Sequence, residues 1–239
     1  MNCSDVYSLF FEPGEVTEIR AYGLSRADKI WEGWAGGAGV VYGYFDNAKE
    51  FGTAAMALEK KKAPGIYFTL NPAVPALLAR ATNRLKAAGA KPMQTTDKDI
   101  ACIRWLPIDI DPVRPAGISS TAEQLALAIK TRDKILRWFK KEYKTAGIPA
   151  VSGNGAHLII RLNDLPNTEE NKQMIKLALQ GLAAKYSDDQ VDIDLAVFNP
   201  ARIWKLYGTT ARKGDHSEMY PHRMSYIEEK YLAKKANKK

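Results

Sequence analysis

The stretch LPIDIDP, residues 106–112, limits what this chain can become more than any other part of it. Residues two apart in a β-strand share a face, so Asp109 and Asp111 point one way while Ile108 and Ile110 point the other. Two like charges side by side repel, and a soluble protein rarely keeps such a pair without a cation to hold. Some forty positions on, SGNGAHLII brings His157, one of only three histidines, out of a glycine-rich turn and into a second apolar run. A chain with these two features needs a sheet in which both strand ends meet.

The order of elements around these stretches supplies one. IRWLPIDI (103–110) reads as a strand, and 119–147 as a helix with Ser120 and Glu123 spaced as a capping box and Gly147 as its stop. IPAV (148–151) and AHLIIRL (156–162) read as strands joined by the SGNG turn. Residues 167–187 read as a helix with Asn167 as N-cap, and VDIDLAV (191–197) as a fourth strand. This β-α-β-β-α-β order is the split βαβ, or ferredoxin-like, arrangement. With an antiparallel sheet of order 4-1-3-2, the end of the first strand lies beside the starts of the third and fourth. Asp109, Asp111, His157, Asp192 and Asp194 then converge on one sheet edge.

The first hundred residues mix strands (39–45 and 65–70, the latter ended by Pro72) with helices (50–62, and 74–89 closed by Gly89). The expected organisation is α+β: an N-terminal α/β module over 1–101 and a βαββαβ module over 102–239, together one domain.

Composition narrows the function. Thirty-five Lys and Arg against 27 Asp and Glu give a net charge of +8 over 239 residues, a surplus that favours polyanionic partners, nucleic acid first. Two cysteines, Cys3 and Cys102, with no CxxC, argue against a disulfide framework and a structural zinc site. With no apparent signal peptide and no apolar run of about 18 residues, a cytoplasmic protein with no membrane partner is expected. The basic end, KYLAKKANKK, reads as a solvated helix end or tail.

Carboxylates without cysteine are hard oxygen ligands suited to Mg²⁺ or Mn²⁺. SGNGAH suits a phosphate, since glycines let backbone N–H groups approach an anion, although Gly and Asn are equally the residues of a plain hairpin turn. Downstream, NPARIWKLYGTTARKGD carries Arg202, Lys205, Arg212 and Lys213, a set able to grip a triphosphate or simply to form a basic edge. His222 and Arg223 in YPHRMS have the same two readings.

In this order, PIDID, then GAH within SGNGAH, then DID resemble the three motifs of the archaeo-eukaryotic primase superfamily, and specifically its compact primase-polymerase group found with plasmids, phages and CRISPR loci. GYFDN, GIYFTLNP, TTDKDI, VFNPARIWKLYGT and RKGD extend the likeness over most of residues 40–225. The resemblance implies a primase fold, with a palm-like βαββαβ catalytic module packed on the N-terminal α/β module. It implies an enzyme, a template-directed nucleotidyltransferase using two Mg²⁺ or Mn²⁺ ions. Asp109, Asp111 and Asp194 would be catalytic metal ligands, with Asp192 a helper. Ser152, Gly153, Asn154, Gly155, His157, Arg202 and Lys205 would bind the incoming nucleotide, a dNTP or an rNTP. The implied partners are a single-stranded DNA template and primer, and helicase or CRISPR-locus domains are compatible with the group; Trp31, Trp34 and the tyrosines are either base platforms or, as aromatics more often are, core residues. Two other readings stay open. One is an RNA-recognition-like binding module on the same layout, and the other a metal-dependent nickase of a replication initiator.

Overall fold

The computed structural model describes residues 2–24, 39–88 and 93–231. Trp31, Trp34, the helix stop Gly89 and residues 232–239 of the basic end lie outside the described residues. The chain forms two compact units, one of residues 1–102 with 201–210 and one of 103–200 with 211–239.

In the first unit, helix α1 (Cys3–Phe10) begins at a capping box in which Asn2 and Asp5 satisfy each other's backbone N–H groups. Strands β1 (Thr17–Tyr22), β2 (Val41–Phe45), β3 (Gly65–Thr69) and β4 (Lys86–Ala87) follow, with helix α2 (Ala48–Lys60) after β2. The sheet is antiparallel in the order β4-β2-β1-β3-β9, where β9 is Ile203–Lys205. Rings from both helices and the sheet form its core: Phe68 of β3 lies 5.4 Å from Phe10 and 6.2 Å from Phe51, and Tyr7 5.6 Å from Phe51, centroid to centroid. Each such buried aromatic contributes about 1.5–3 kcal/mol.

Two expectations change here. The described part of the stretch 74–89, residues 74–88, is not a helix but a 3₁₀ turn, Pro75–Arg80, followed by the short strand β4. Asn83 takes a left-handed φ of 48°, which stops helical propagation, and Lys86–Ala87 gains ladder bonds on Val41–Tyr42. Residues 201–210 also join the first unit rather than following the second, because Ile203–Lys205 pairs with Tyr67–Thr69.

The second unit has the expected element order. It comprises β5 (Ile103–Pro112), α3 (Ala122–Tyr143), β6 (Ile148–Val151), β7 (Ala156–Leu165), α4 (Glu169–Tyr186) and β8 (Val191–Ile193). Its sheet runs β6-β7-β5-β8, all antiparallel, with an added edge strand, Tyr226–Ile227, on β6. Counted from β5 as the first strand, this is the 4-1-3-2 order. Pro107 has no N–H to offer a ladder, and β8 pairs only with Ile110–Pro112, so that stretch of β5 has β7 as its partner.

Caps and ends shift by small amounts. The N-cap of α3 is Thr121 with Gln124 completing the box, one residue beyond the Ser120–Glu123 pair, because the Ser120 N–H donates to Asn154 Oδ1 at 3.0 Å. The helix ends at Lys144, left-handed at φ 53°, before Gly147 is reached. Thr168, not Asn167, caps α4. VDIDLAV is strand only to Ile193, where Asp194 caps a 3₁₀ turn, Leu195–Phe198, through a 2.7 Å bond from the Ala196 N–H.

Candidate active site

Three strands of the second unit bring the carboxylates and the histidine together. Across β5 and β7, Asp109 stands opposite His157, and across β5 and β8, Asp111 stands opposite Asp192. One step beyond β8, the Asp194 N–H donates to the Asp109 carbonyl at 3.0 Å, so Asp109 is flanked by His157 on one side and Asp194 on the other. Directly paired residues of an antiparallel ladder share a face, so Asp109, His157, Asp111 and Asp192 lie on one face of the sheet. His157 is buried, with Nε2 3.3 Å from Asp109 Oδ1.

The site strains its own charges. Withdrawal from water, and then the neighbouring Asp109 charge, push the Asp111 carboxyl up to about 6, against the opposing pull of Arg114, His157 and Lys213. Arg114 Nη2 stands 3.7 Å from Asp111 Oδ1, while Nη1 donates to the Pro112 carbonyl at 3.3 Å. Sequence reasoning misses Arg114, for which the available signal is its place three residues after Asp111 in DPVRP.

The SGNG turn serves as scaffold as much as cradle. Gly153 adopts φ 108°, the left-handed backbone that favours glycine at the head of a two-residue hairpin. The Ser152 N–H donates to the Gly155 carbonyl and the Gly155 N–H to Ser152 Oγ, both at 3.0 Å, so these two groups close the turn. Asn154 is buried and holds the start of α3 through Ser120. Gly155 is set by a close approach: a Cβ there would lie 2.6 Å from Asp111 Oδ1 and 2.7 Å from the Ile110 carbonyl. Gly155→Ala is therefore expected to destabilise the chain by about 1–3 kcal/mol and to displace the Asp111 carboxylate. Denaturant unfolding checks the first effect, and an unchanged midpoint would show that this approach is not restrictive.

The same unit gathers further polar groups near the start of α3. Arg223 Nη1 donates to the Ser120 carbonyl at 2.8 Å, and Ser119 Oγ to the Lys213 carbonyl at 3.1 Å. His222 Nε2 lies 2.8 Å from the Gly214 carbonyl, and His216 Nδ1 accepts from the His222 N–H at 3.0 Å. Arg202 and Lys205 belong to the first unit. There Lys205 is buried, donates from Nζ to the Thr210 carbonyl at 3.1 Å and lies 5.9 Å from the Tyr67 ring centroid. Arg202 precedes β9 and its carbonyl accepts from the Leu70 N–H.

Among the described residues, no group of three or more His, Cys, Asp or Glu side chains is gathered closely enough to hold a metal ion. Asp109 and Asp111 are a smaller set, two partly exposed carboxylates on one strand face, one of them resisting ionisation. That set fits a hard divalent cation held by one or two carboxylates together with phosphate oxygens and water. Among the described residues, no helix is long and apolar enough to cross a membrane.

No protein-family model matches this chain, and no curated protein sequence does. Among solved structures, the chain is similar to the polymerase domain of Ligase D from Mycobacterium tuberculosis in complex with DNA. The two are 14% identical with a TM-score of 0.49, over 99% of this chain and 86% of that one.

Proposed function

We propose that this chain is a primase-polymerase: a template-directed nucleotidyltransferase that adds nucleotides to a primer 3′-hydroxyl, or to an initiating nucleotide, on single-stranded DNA. The observation that carries the reading is the register that sets His157 and Asp194 on either side of Asp109, with Asp111 two residues along the same face. The palm-like role of the second unit, the two ions and the residue roles below belong to the same proposal.

Asp109 and Asp111 would hold Mg²⁺ or Mn²⁺, joined by Asp194, whose cap to Ala196 uses one carboxylate oxygen. When bound, such ions lower the pKa of the attacking hydroxyl and neutralise charge on the departing pyrophosphate. His157 would donate to a phosphate of the incoming nucleotide, held in place by burial and by Asp109. Arg114 and Lys213 balance the carboxylate charge, and Gly155 keeps the space into which Asp111 reaches. Most of the chemistry is positioning and charge stabilisation, which is what a rigid strand face with paired charges provides.

The test is incorporation of labelled nucleotides on a single-stranded template with Mg²⁺ or Mn²⁺, with and without a primer. Products that lengthen with the template and vanish on chelation are expected, and growth without primer would mark a primase. Strand scission without nucleotide uptake would replace this reading with the nickase. Strand binding without either reaction would leave a binding module.

A further inference from the structure

We infer that the outward face of α3 is a docking track for the sugar-phosphate backbone of single-stranded nucleic acid. Lys130, Lys134, Arg137 and Lys141 are all exposed and are spaced i, i+4, i+7, i+11. At 3.6 residues and 5.4 Å per turn they fall within an arc of about 60° and form a line about 16 Å long. Lys144, exposed at the cap, extends it. Residues 134–144 carry five Lys and Arg against one Glu, in a chain whose net charge is +8.

Helix physics alone does not explain this line. Cations in the last turn are favoured by the helix dipole, but Lys130 and Lys134 lie two turns or more before the end. Like charges at i, i+4 cost a few tenths of a kcal/mol per pair, and the line contains two such pairs, Lys130 with Lys134 and Arg137 with Lys141. A solvated face would intersperse Glu to relieve that repulsion. Here the neutralisation is slight: Lys141 Nζ stands 3.5 Å from Glu142, and Lys134 acts on Asp188 at longer range. Arg132 and Asp133 pair with each other, and Arg132 also with Glu228.

The chemistry of the occupant is set by the spacing and the surroundings. A row of cations at intervals of about 4.5–6 Å complements a linear polyanion of comparable pitch. The apolar side of α3 is spent in the core through Ala128, Ile135, Leu136 and Phe139, so no apolar face remains to enter lipid. On the flank of the line, Trp138 lies about 70° round the helix, with Lys185 Nζ 4.6 Å from its ring. Aromatic rings beside cations stack the bases of single strands.

This inference does not depend on nucleotide transfer. Its test compares the wild-type chain with the joint variant Lys130→Gln, Lys134→Gln, Arg137→Gln, Lys141→Gln. The readouts are anisotropy of a labelled oligothymidylate across a potassium chloride series, and circular dichroism to confirm the helix. Single strands lose about 0.7 in log–log salt slope per phosphate contact, so four lost contacts should flatten the slope by about 2.8 and weaken low-salt binding by about tenfold or more. A folded variant with wild-type affinity and slope overturns the inference. So does a wild-type chain that binds anionic vesicles and leaves the oligonucleotide free. Extension failing in a chain whose strand binding still depends on α3 would sink the polymerase reading alone.

Discussion

Asp111→Asn is expected to make the folded chain more stable while reducing nucleotide incorporation by about 10²–10³-fold. The Asp111 carboxyl is pushed up to about 6 from an ordinary 3.8, by withdrawal from water and then by Asp109. Between those pH values the folded chain keeps a proton that the unfolded chain has released. The stability this contributes is complete below the unfolded value and is lost as pH rises through about 6. Because the side chain keeps 45% of its exposure, solvent screening reduces the penalty at neutral pH to about 1 kcal/mol. Asparagine removes that penalty, which corresponds to a rise in Tm of roughly 2–4 °C. The gain should be present at pH 7.5 and shrink at pH 5, where the wild-type carboxyl already holds its proton. Mn²⁺ should raise the wild-type Tm at pH 7.5 more than that of the variant. Equal melting at both pH values, with and without the substitution, would show that the pair stores no charge strain.

Glu18→Ala is expected to cost about 3–5 kcal/mol of stability, roughly 10 °C or more in Tm. Glu18 is fully buried on β1, the middle strand of its sheet, and receives Arg20 through two bonds of 2.8 and 2.7 Å. The Thr95 N–H donates to the same carboxylate at 2.8 Å. Alanine leaves the Arg20 guanidinium, 14% exposed, and the Thr95 N–H without that acceptor. Glu18→Gln keeps an acceptor and should lose less. Joint replacement of Glu18 and Arg20 by leucine and methionine should recover much of the loss, since a removed pair costs less than a broken one. Chemical denaturation of the three variants decides it, and a loss below about 1 kcal/mol for Glu18→Ala would make the pair a surface-like contact.

The candidate site is legible in the sequence because it depends on two local periodicities. Alternation alone puts Asp109 and Asp111 on one face, and the order of two helices among four strands leaves one sheet order that brings His157 and Asp194 beside them. No such rule covers Arg114, whose approach to Asp111 depends on how the chain turns after Pro112. Nor does one distinguish the two parts played by SGNG, since closing a hairpin and approaching an anion call for the same residue types. Gly155 shows its reason only when Asp111 is seen to occupy the space its side chain would need.

By itself the amino-acid order determined the features that short-range sterics and period dictate: the strands of the second unit, its helices, and the shared face of its carboxylates. Competition for backbone partners was left to the tertiary structure. Ser120 loses the cap of α3 because its N–H is taken by Asn154, thirty-four residues away. Residues 74–88 forgo a helix that their composition allows, because Lys86–Ala87 finds a ladder on β2. Lys205, two residues from Tyr207 in a stretch that reads as a basic edge, is drawn into the first unit's sheet and buried there by pairing with Tyr67. In each case the deciding partner is distant in sequence, and a hydrogen bond or a buried strand edge outweighs a local preference of a few tenths of a kcal/mol per residue.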